Sequence, residues 1–247
     1  FFSDPGLLSE LRIVLLGQIG VGKSSTTGNT ILGGKEFTYD PSSTSTTQQC
    51  EKGTIQIRKR TITVVDTPGF LDTRLTKEVE TYRNTCLSLC VPGPHAFLLV
   101  VKLGAFTENE TRASEQIQEL FGEKVLRFTL VLFTCGDELQ HQTIEELIEE
   151  NRDLQSLVQQ FGGRYHLFNN NYISNHKQVR DFLEKIDLMV KANKGGYYSK
   201  EIHQKEVEFI GHKEWRLKEG KEQKKLEKNR IREEIQDADE ANNQRAK

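Results

Sequence analysis

Apolar and polar positions change rhythm repeatedly along the first four-fifths of the chain. Leu11-Arg12-Ile13-Val14-Leu15-Leu16 is a short apolar run ending in glycine, the pattern of a parallel strand covered on both faces. Residues 23–32 then read as a helix. Thr54–Arg58 and Thr61–Val65 alternate in polarity, which predicts an antiparallel pair. A helix over 75–89 leads to a second apolar strand, Ala96–Val101. Thr107-x-x-Glu110 is a capping box that opens a helix reaching about Phe121. Phe128–Phe133 is a third buried strand; helical segments follow over about 143–160, then a short strand at Tyr165–Phe168 and an amphipathic helix over about 178–192. Strands alternating with helices predict a doubly wound α/β domain with a mostly parallel central sheet flanked by helices.

Lys194-Gly195-Gly196 punctuates the pattern. Residues 200–247 are dominated by Lys, Glu, Arg and Gln, and Glu201–Lys205 and Glu214–Lys218 have the spacing of helix-supporting ion pairs. No heptad is sustained there, so the expected element is a solvated helix, with a partner-binding or self-association helix as the alternative. The division expected is a lead at 1–9, the α/β domain at 10–194 and a charged helical extension at 195–247.

Composition narrows the function classes. A net charge of −2 gives no electrostatic case for nucleic acid. No apolar run approaches the length of a membrane span, and Phe1-Phe2-Ser3-Asp4 lacks the start of a signal peptide. The first residue is not Met, so a preceding segment is expected. Four cysteines (Cys50, Cys86, Cys90, Cys135) form no C-x-x-C pair. Cys86 and Cys90 lie one helical turn apart and read as buried apolar residues. A reducing, cytoplasmic setting is expected.

The chemistry concentrates in three places. Gly17-Gln18-Ile19-Gly20-Val21-Gly22-Lys23-Ser24 fits the P-loop pattern G-x-x-x-x-G-K-S/T between a predicted strand and a predicted helix. There the backbone must wrap phosphate oxygens with its N–H groups, which glycines permit, and the helix start adds a positive dipole end. Lys23 supplies a point charge to the β- and γ-phosphates and Ser24 a hydroxyl to Mg²⁺, with Ser25 beside it in the nucleotide-binding set. Ile62-Thr63-Val64-Val65-Asp66-Thr67-Pro68-Gly69 is the second place. Its strand delivers Asp66 toward Mg²⁺, and Gly69 offers a backbone N–H to a γ-phosphate. Together the two segments point to a GTPase rather than a general P-loop protein.

The third place is Thr134-Cys135-Gly136-Asp137, just past a buried strand. Guanine presents adjacent N1–H and N2–H₂ donors, and one carboxylate accepts both; Asp137 is the candidate. Ordinary GTPases carry N-K-x-D here. Thr134 can still orient the loop, whereas Cys135 has no long aliphatic stem to lay over the base.

These residues resemble the GTPases of immunity-associated proteins, with an AIG1-type G domain, over roughly residues 10–192. The resemblance rests also on Cys90-Val91-Pro92-Gly93-Pro94-His95-Ala96-Phe97-Leu98-Leu99-Val100, on Leu103-Gly104-Ala105-Phe106-Thr107, and on T-x-x-D in place of N-K-x-D. Arg164-Tyr165-His166-Leu167-Phe168-Asn169-Asn170 resembles the family's last nucleotide loop, which implies that Asn169 lies at the base. Thr47-Gln48-Gln49-Cys50 resembles its switch I element, which implies Thr47 as the threonine that completes Mg²⁺; Thr44 and Thr46 are rivals. The family implies a septin-like G domain that binds GTP and GDP, self-associates through the nucleotide face and acts at intracellular membranes.

Two departures bear on catalysis. Phe70 stands where Ras-like enzymes carry a water-orienting Gln, and Ala105 where family members often carry Arg in L-G-R-F/Y-T. Hydrolysis is therefore expected to be slow or partner-dependent, with no residue assigned to catalysis. His95, just before a core strand, reads as a loop histidine packed against the nucleotide face rather than as a catalyst. The alternatives are a nucleotide-loaded interaction module that does not hydrolyse GTP, and an ATP-dependent kinase. The kinase would need an arginine-rich lid, but residues 120–180 hold only Arg127, Arg152, Arg164 and Arg180.

Overall fold

The computed structural model describes residues 8–18, 20–37, 49–69, 77–104, 108–139, 142–169, 175–206 and 208–209. Six strands form one sheet: β1 (Glu10–Leu16), β2 (Glu51–Ile57), β3 (Arg60–Asp66), β4 (Ala96–Lys102), β5 (Thr129–Thr134) and β6 (Tyr165–Leu167), in the order β2-β3-β1-β4-β5-β6. Every neighbouring pair is parallel except β2–β3, whose antiparallel register runs from Glu51↔Asp66 to Ile57↔Arg60. The Arg58-Lys59 turn closes that hairpin with Arg58 at φ 57°, the left-handed backbone that tight two-residue hairpins require.

The apolar strands predicted to be covered on both faces are so covered. Val14 and Leu16 of β1, with Val131 and Phe133 of β5, enter one core layer; Leu11, Ile13 and Leu15, with Leu130 and Leu132, enter the other. Over the first layer lie α2 (Lys77–Leu89), α4 (Ala113–Phe121), α5 (Ile144–Glu150) and α6 (Arg152–Gln160), with α3 (Glu108–Thr111) against α4 and α6. Helix α7 (His176–Ala192) packs Phe182, Ile186, Met189 and Val190 into the second, beside Ile31 and Leu32 of the first helix. That first helix, α1, runs through Lys23–Gly28 and Asn29–Leu32, and its opening turn is wound wide. The bond from Thr27 N–H to Gly22 C=O, 2.8 Å, marks this.

Two local readings shift. The helix expected from Thr107 to Phe121 is divided at Arg112, and its capping threonine falls outside the described residues. A capping box opens α5, where Thr143 Oγ1 accepts from Glu146 N–H and the Glu146 carboxylate from Thr143 N–H. Phe128 closes a 3₁₀ turn, Glu123–Phe128, rather than opening β5.

The chain divides into two compact units, Phe1–Gln204 and Lys205–Lys247. The first continues beyond the glycine pair. Tyr198 is fully buried against Phe97, Phe121 and Phe128, and its hydroxyl donates to the Phe121 carbonyl. In the second unit, residues 205, 206, 208 and 209 are helical. Among the described residues no helix is long and apolar enough to cross a membrane.

Candidate functional site

A parallel sheet presents the carboxyl ends of its strands at one edge, so the loops that leave them gather there. Residues 17–18 and 20–22 leave β1, residues 67–69 leave β3, residues 135–137 leave β5 and residues 168–169 leave β6. The three motifs found separately in the sequence thus share one edge.

The phosphate loop is shaped by its glycines. A side chain on Gly17 would put its Cβ 2.7 Å from the Val100 carbonyl, closer than atoms tolerate, and Gly17 has φ 148°. Gly20 and Gly22 both have φ 83°, in the left-handed region that other residues enter at a cost. Lys23 is buried, and its Nζ donates to the Gln18 carbonyl at 2.7 Å, folding the side chain back over the loop. Ile19 and the side chains of Ser24 and Ser25 lie outside the described residues, as do Thr47, Phe70 and Ala105.

Asp66 is fully buried at the end of β3. The next residue ties this strand end to the phosphate loop, because Thr67 Oγ1 donates to Leu15 C=O at 2.6 Å. Gly69 is buried as well. Cys50 lies close enough for its thiol to be pushed up to about 12, by burial first and by the Asp66 charge second. Its Sγ donates to the Tyr82 carbonyl. The segment entering β2 therefore borders the carboxylate assigned to Mg²⁺.

The Thr134–Asp137 loop is held from three sides. Thr134 is buried, and its Oγ1 donates to the Val21 carbonyl of the phosphate loop at 3.0 Å. Leu103 N–H donates to Thr134 C=O. Gly136 N–H donates to Phe168 C=O at 3.0 Å, and Phe168 N–H to Phe133 C=O at 2.8 Å. Cys135 turns the chain with φ 62°, and burial pushes its thiol up. Asp137 follows on an exposed 3₁₀ turn. Asn169 is gripped at its main chain by Gln178 of α7, which no sequence signal singled out: a glutamine in a first helical turn is ordinary.

His95 is placed elsewhere. It precedes β4 at the amino edge of the sheet, opposite the nucleotide loops, so the expectation that it packs against the nucleotide face is wrong. Its Nδ1 accepts from Arg12 N–H at 3.0 Å, and Tyr197 stacks edge-on. Buried and beside the Arg12 guanidinium, the ring is held neutral, its value lowered to about 4. Alternation alone does not reveal which end of a strand a flanking residue occupies relative to a ligand.

The donor set suits a phosphate-bound Mg²⁺ rather than a metal held by protein alone. Among the described residues no three His, Cys, Asp or Glu side chains converge on one point. One buried carboxylate beside a loop of amides and an ammonium group leaves phosphate oxygens and water as the remaining ligands, as hard, strongly hydrated Mg²⁺ requires.

Comparison with known proteins agrees with this architecture. Residues 11–216 match the model of the AIG1 family. GTPase IMAP family member 8 of Homo sapiens is 36% identical over 196 residues, which cover 77% of this chain and 29% of that protein. Immune-associated nucleotide-binding protein 9 of Arabidopsis thaliana is 35% identical over 210 residues, 80% of this chain and 60% of that protein. The chain thus spans less than two thirds of either relative. Among solved structures, Toc33 from Arabidopsis thaliana in complex with Mg²⁺ and GMPPNP aligns with a TM-score of 0.51 at 17% identity, covering 75% of this chain and 86% of that one. A structure described under the statement that dimerization is important for the GTPase activity of chloroplast translocon components atToc33 and psToc159 gives 0.56 at 16%, covering 74% and 83%. At such identities the likeness is one of fold.

Proposed function

Since the chain belongs to the AIG1 family, we propose that it is a guanine-nucleotide-binding switch, with slow or partner-dependent GTP hydrolysis and nucleotide-dependent self-association. The observation that carries this reading is the bond from Thr134 to the Val21 carbonyl. It joins the loop suited to a purine base to the loop suited to phosphates, so one ligand spanning both meets a preformed frame. Main-chain amides of residues 17–23 and the Lys23 ammonium group take the phosphates, and Asp137 accepts the two donors of guanine. Ser24, Thr47 and Asp66 are the residues assigned to Mg²⁺, which supplies charge neutralisation at the β- and γ-phosphates when bound. Gly69 offers a main-chain N–H to the γ-phosphate, which makes the site sensitive to whether that group is present.

Slow hydrolysis follows from Phe70 and Ala105, which can neither orient water nor stabilise developing charge. Association of two copies across the nucleotide face offers a route to supply what is missing, a reading that draws support from the Toc33 dimer statement. Those two residues also favour the reading of a nucleotide-loaded interaction module without hydrolysis. Single-turnover decay of bound GTP separates the two, a rate equal to that of free GTP selecting the second.

The test of the ligand class is chemical. Nucleotide extracted from denatured protein and separated by chromatography is expected to be GDP or GTP. GDP is expected to displace labelled GDP at far lower concentrations than adenine nucleotides do. Asp137→Asn should weaken GDP markedly and improve xanthosine diphosphate, whose C2 carbonyl accepts where guanine donates. ATP competing as well as GDP would refute the assignment.

A further inference from the structure

Gln178 is tied to the last nucleotide loop by its side chain and to strand β6 by its main chain. Its Oε1 accepts from Asn169 N–H at 3.1 Å, and its Nε2 donates to Asn169 C=O at 3.3 Å. A side-chain amide has the same donor and acceptor pair as a peptide group, so the two bonds form a rung like one in a β-ladder. The third contact holds Gln178 itself: its main-chain carbonyl lies 3.2 Å from His166 Nε2. A carbonyl only accepts, so the hydrogen sits on Nε2 of a ring that burial keeps neutral, its value lowered to about 4. His166 in turn stacks edge-on against Phe168 and packs against Phe182.

Phe168 and Asn169 are thereby held from opposite sides. Phe168 is bonded through N–H and C=O to Phe133 and Gly136, on the side of the base loop. Asn169 is bonded through N–H and C=O to α7. Four main-chain groups in succession are fixed, two to each neighbour. Such redundancy suits a residue whose side chain must meet a ligand within a few tenths of an ångström.

We infer that Gln178 is a positioning residue for the guanine base, setting Asn169 through a two-bond clamp on its main chain. The inference rests on the proposed function and on the family resemblance that implies Asn169 at the base. Gln178 does not touch the ligand; it acts through Asn169, and its effect falls on the base half of the site while the phosphate half is held by other residues.

The experiment compares full-length wild-type protein with Gln178→Met and Gln178→Glu, measuring affinity for GDP and ADP by displacement of labelled GDP. Methionine keeps the length and helix preference and removes both polar atoms. Glutamate keeps the acceptor for Asn169 N–H but turns an ionised oxygen on the Asn169 carbonyl. Gln178→Met is expected to lose about tenfold in GDP affinity through the loss of two neutral hydrogen bonds, and Gln178→Glu by a similar factor through one lost bond and an anionic oxygen set against a carbonyl. ADP affinity should stay within twofold, so the preference for guanine falls by the same factor. GDP affinity within twofold of wild type in both variants overturns the inference. So does a proportional loss of GDP and ADP, the mark of a general structural defect. Wild-type protein that fails to bind GDP refutes the parent reading before either variant is made.

Discussion

Thr134 and Lys23 show how single side chains set up the site. Thr134→Val removes the hydroxyl that bridges to the Val21 carbonyl while keeping shape and volume. It should cost about 1 kcal/mol of unfolding free energy with an unchanged denaturant slope, measured by urea titration. A loss below a few tenths would mean the bridge contributes nothing net. Lys23→Ala removes the ammonium group folded over the phosphate loop. A hydrogen bond to a charged partner contributes about 1.5–3 kcal/mol, so GDP should bind roughly ten- to a hundredfold more weakly by isothermal titration. Unchanged affinity would show that the loop does not hold phosphate. Both residues were legible in the sequence because their motifs have fixed spacing. Thr67 and Gln178 were not, since their partners, the Leu15 and Asn169 main chains, are brought to them only by the folded sheet.

At the scale of elements, the segment after α7 is the least expected part of the first unit. Its glycine pair reads as a boundary, yet Tyr198 is among the largest fully buried side chains. Its N–H donates to Pro94 C=O, its ring sits among Phe97, Phe121 and Phe128, and its hydroxyl lies 3.3 Å from His203 Nδ1. Tyr198→Ala should cost about 3–5 kcal/mol by analogy with other buried aromatic truncations, read by chemical denaturation. A cost under 1 kcal/mol would show that this segment is not part of the folded core. A tyrosine in a polar stretch carries no periodic signal, so local pattern could not place it. The strands were readable for the opposite reason. Apolar runs such as 96–101 and 129–133 have only one stable use, burial between two layers of helices.

For the molecule as a whole, the buried histidines predict how stability depends on pH. His95, His166 and His203 are each lowered from 6.5 to about 4, by burial first and then by Arg12, Lys185 and Arg83 respectively. The unfolded chain binds more protons than the folded one throughout that interval, so the stabilisation is complete above about pH 6.5 and is lost as the pH falls toward 4. Urea denaturation at pH 7.5 and pH 5 should differ by on the order of a few kcal/mol. Equal stability at both would mean these rings are not buried neutral. A second prediction concerns assembly. Light scattering behind size exclusion should give a larger mass with a non-hydrolysable GTP analogue than with GDP. Equal masses at high protein concentration would remove nucleotide-dependent association from the proposed function.

The sequence by itself determined the strand-and-helix alternation, the two-sided burial of the sheet and the phosphate loop, because each depends on residue type at short, fixed spacing. Hydrophobic periodicity and glycine backbone freedom are local properties. Only the tertiary structure decided which motifs meet. Parallel strands collect Gly17, Asp66, Asp137 and Asn169 at their carboxyl edge and leave His95 at the other. It also decided what holds them there: Thr134 across to Val21, Thr67 to Leu15, and Gln178 to Asn169. These are bonds between different elements of the fold, and a hydrogen bond to a main-chain carbonyl or amide leaves no mark on the identity of the residue that receives it.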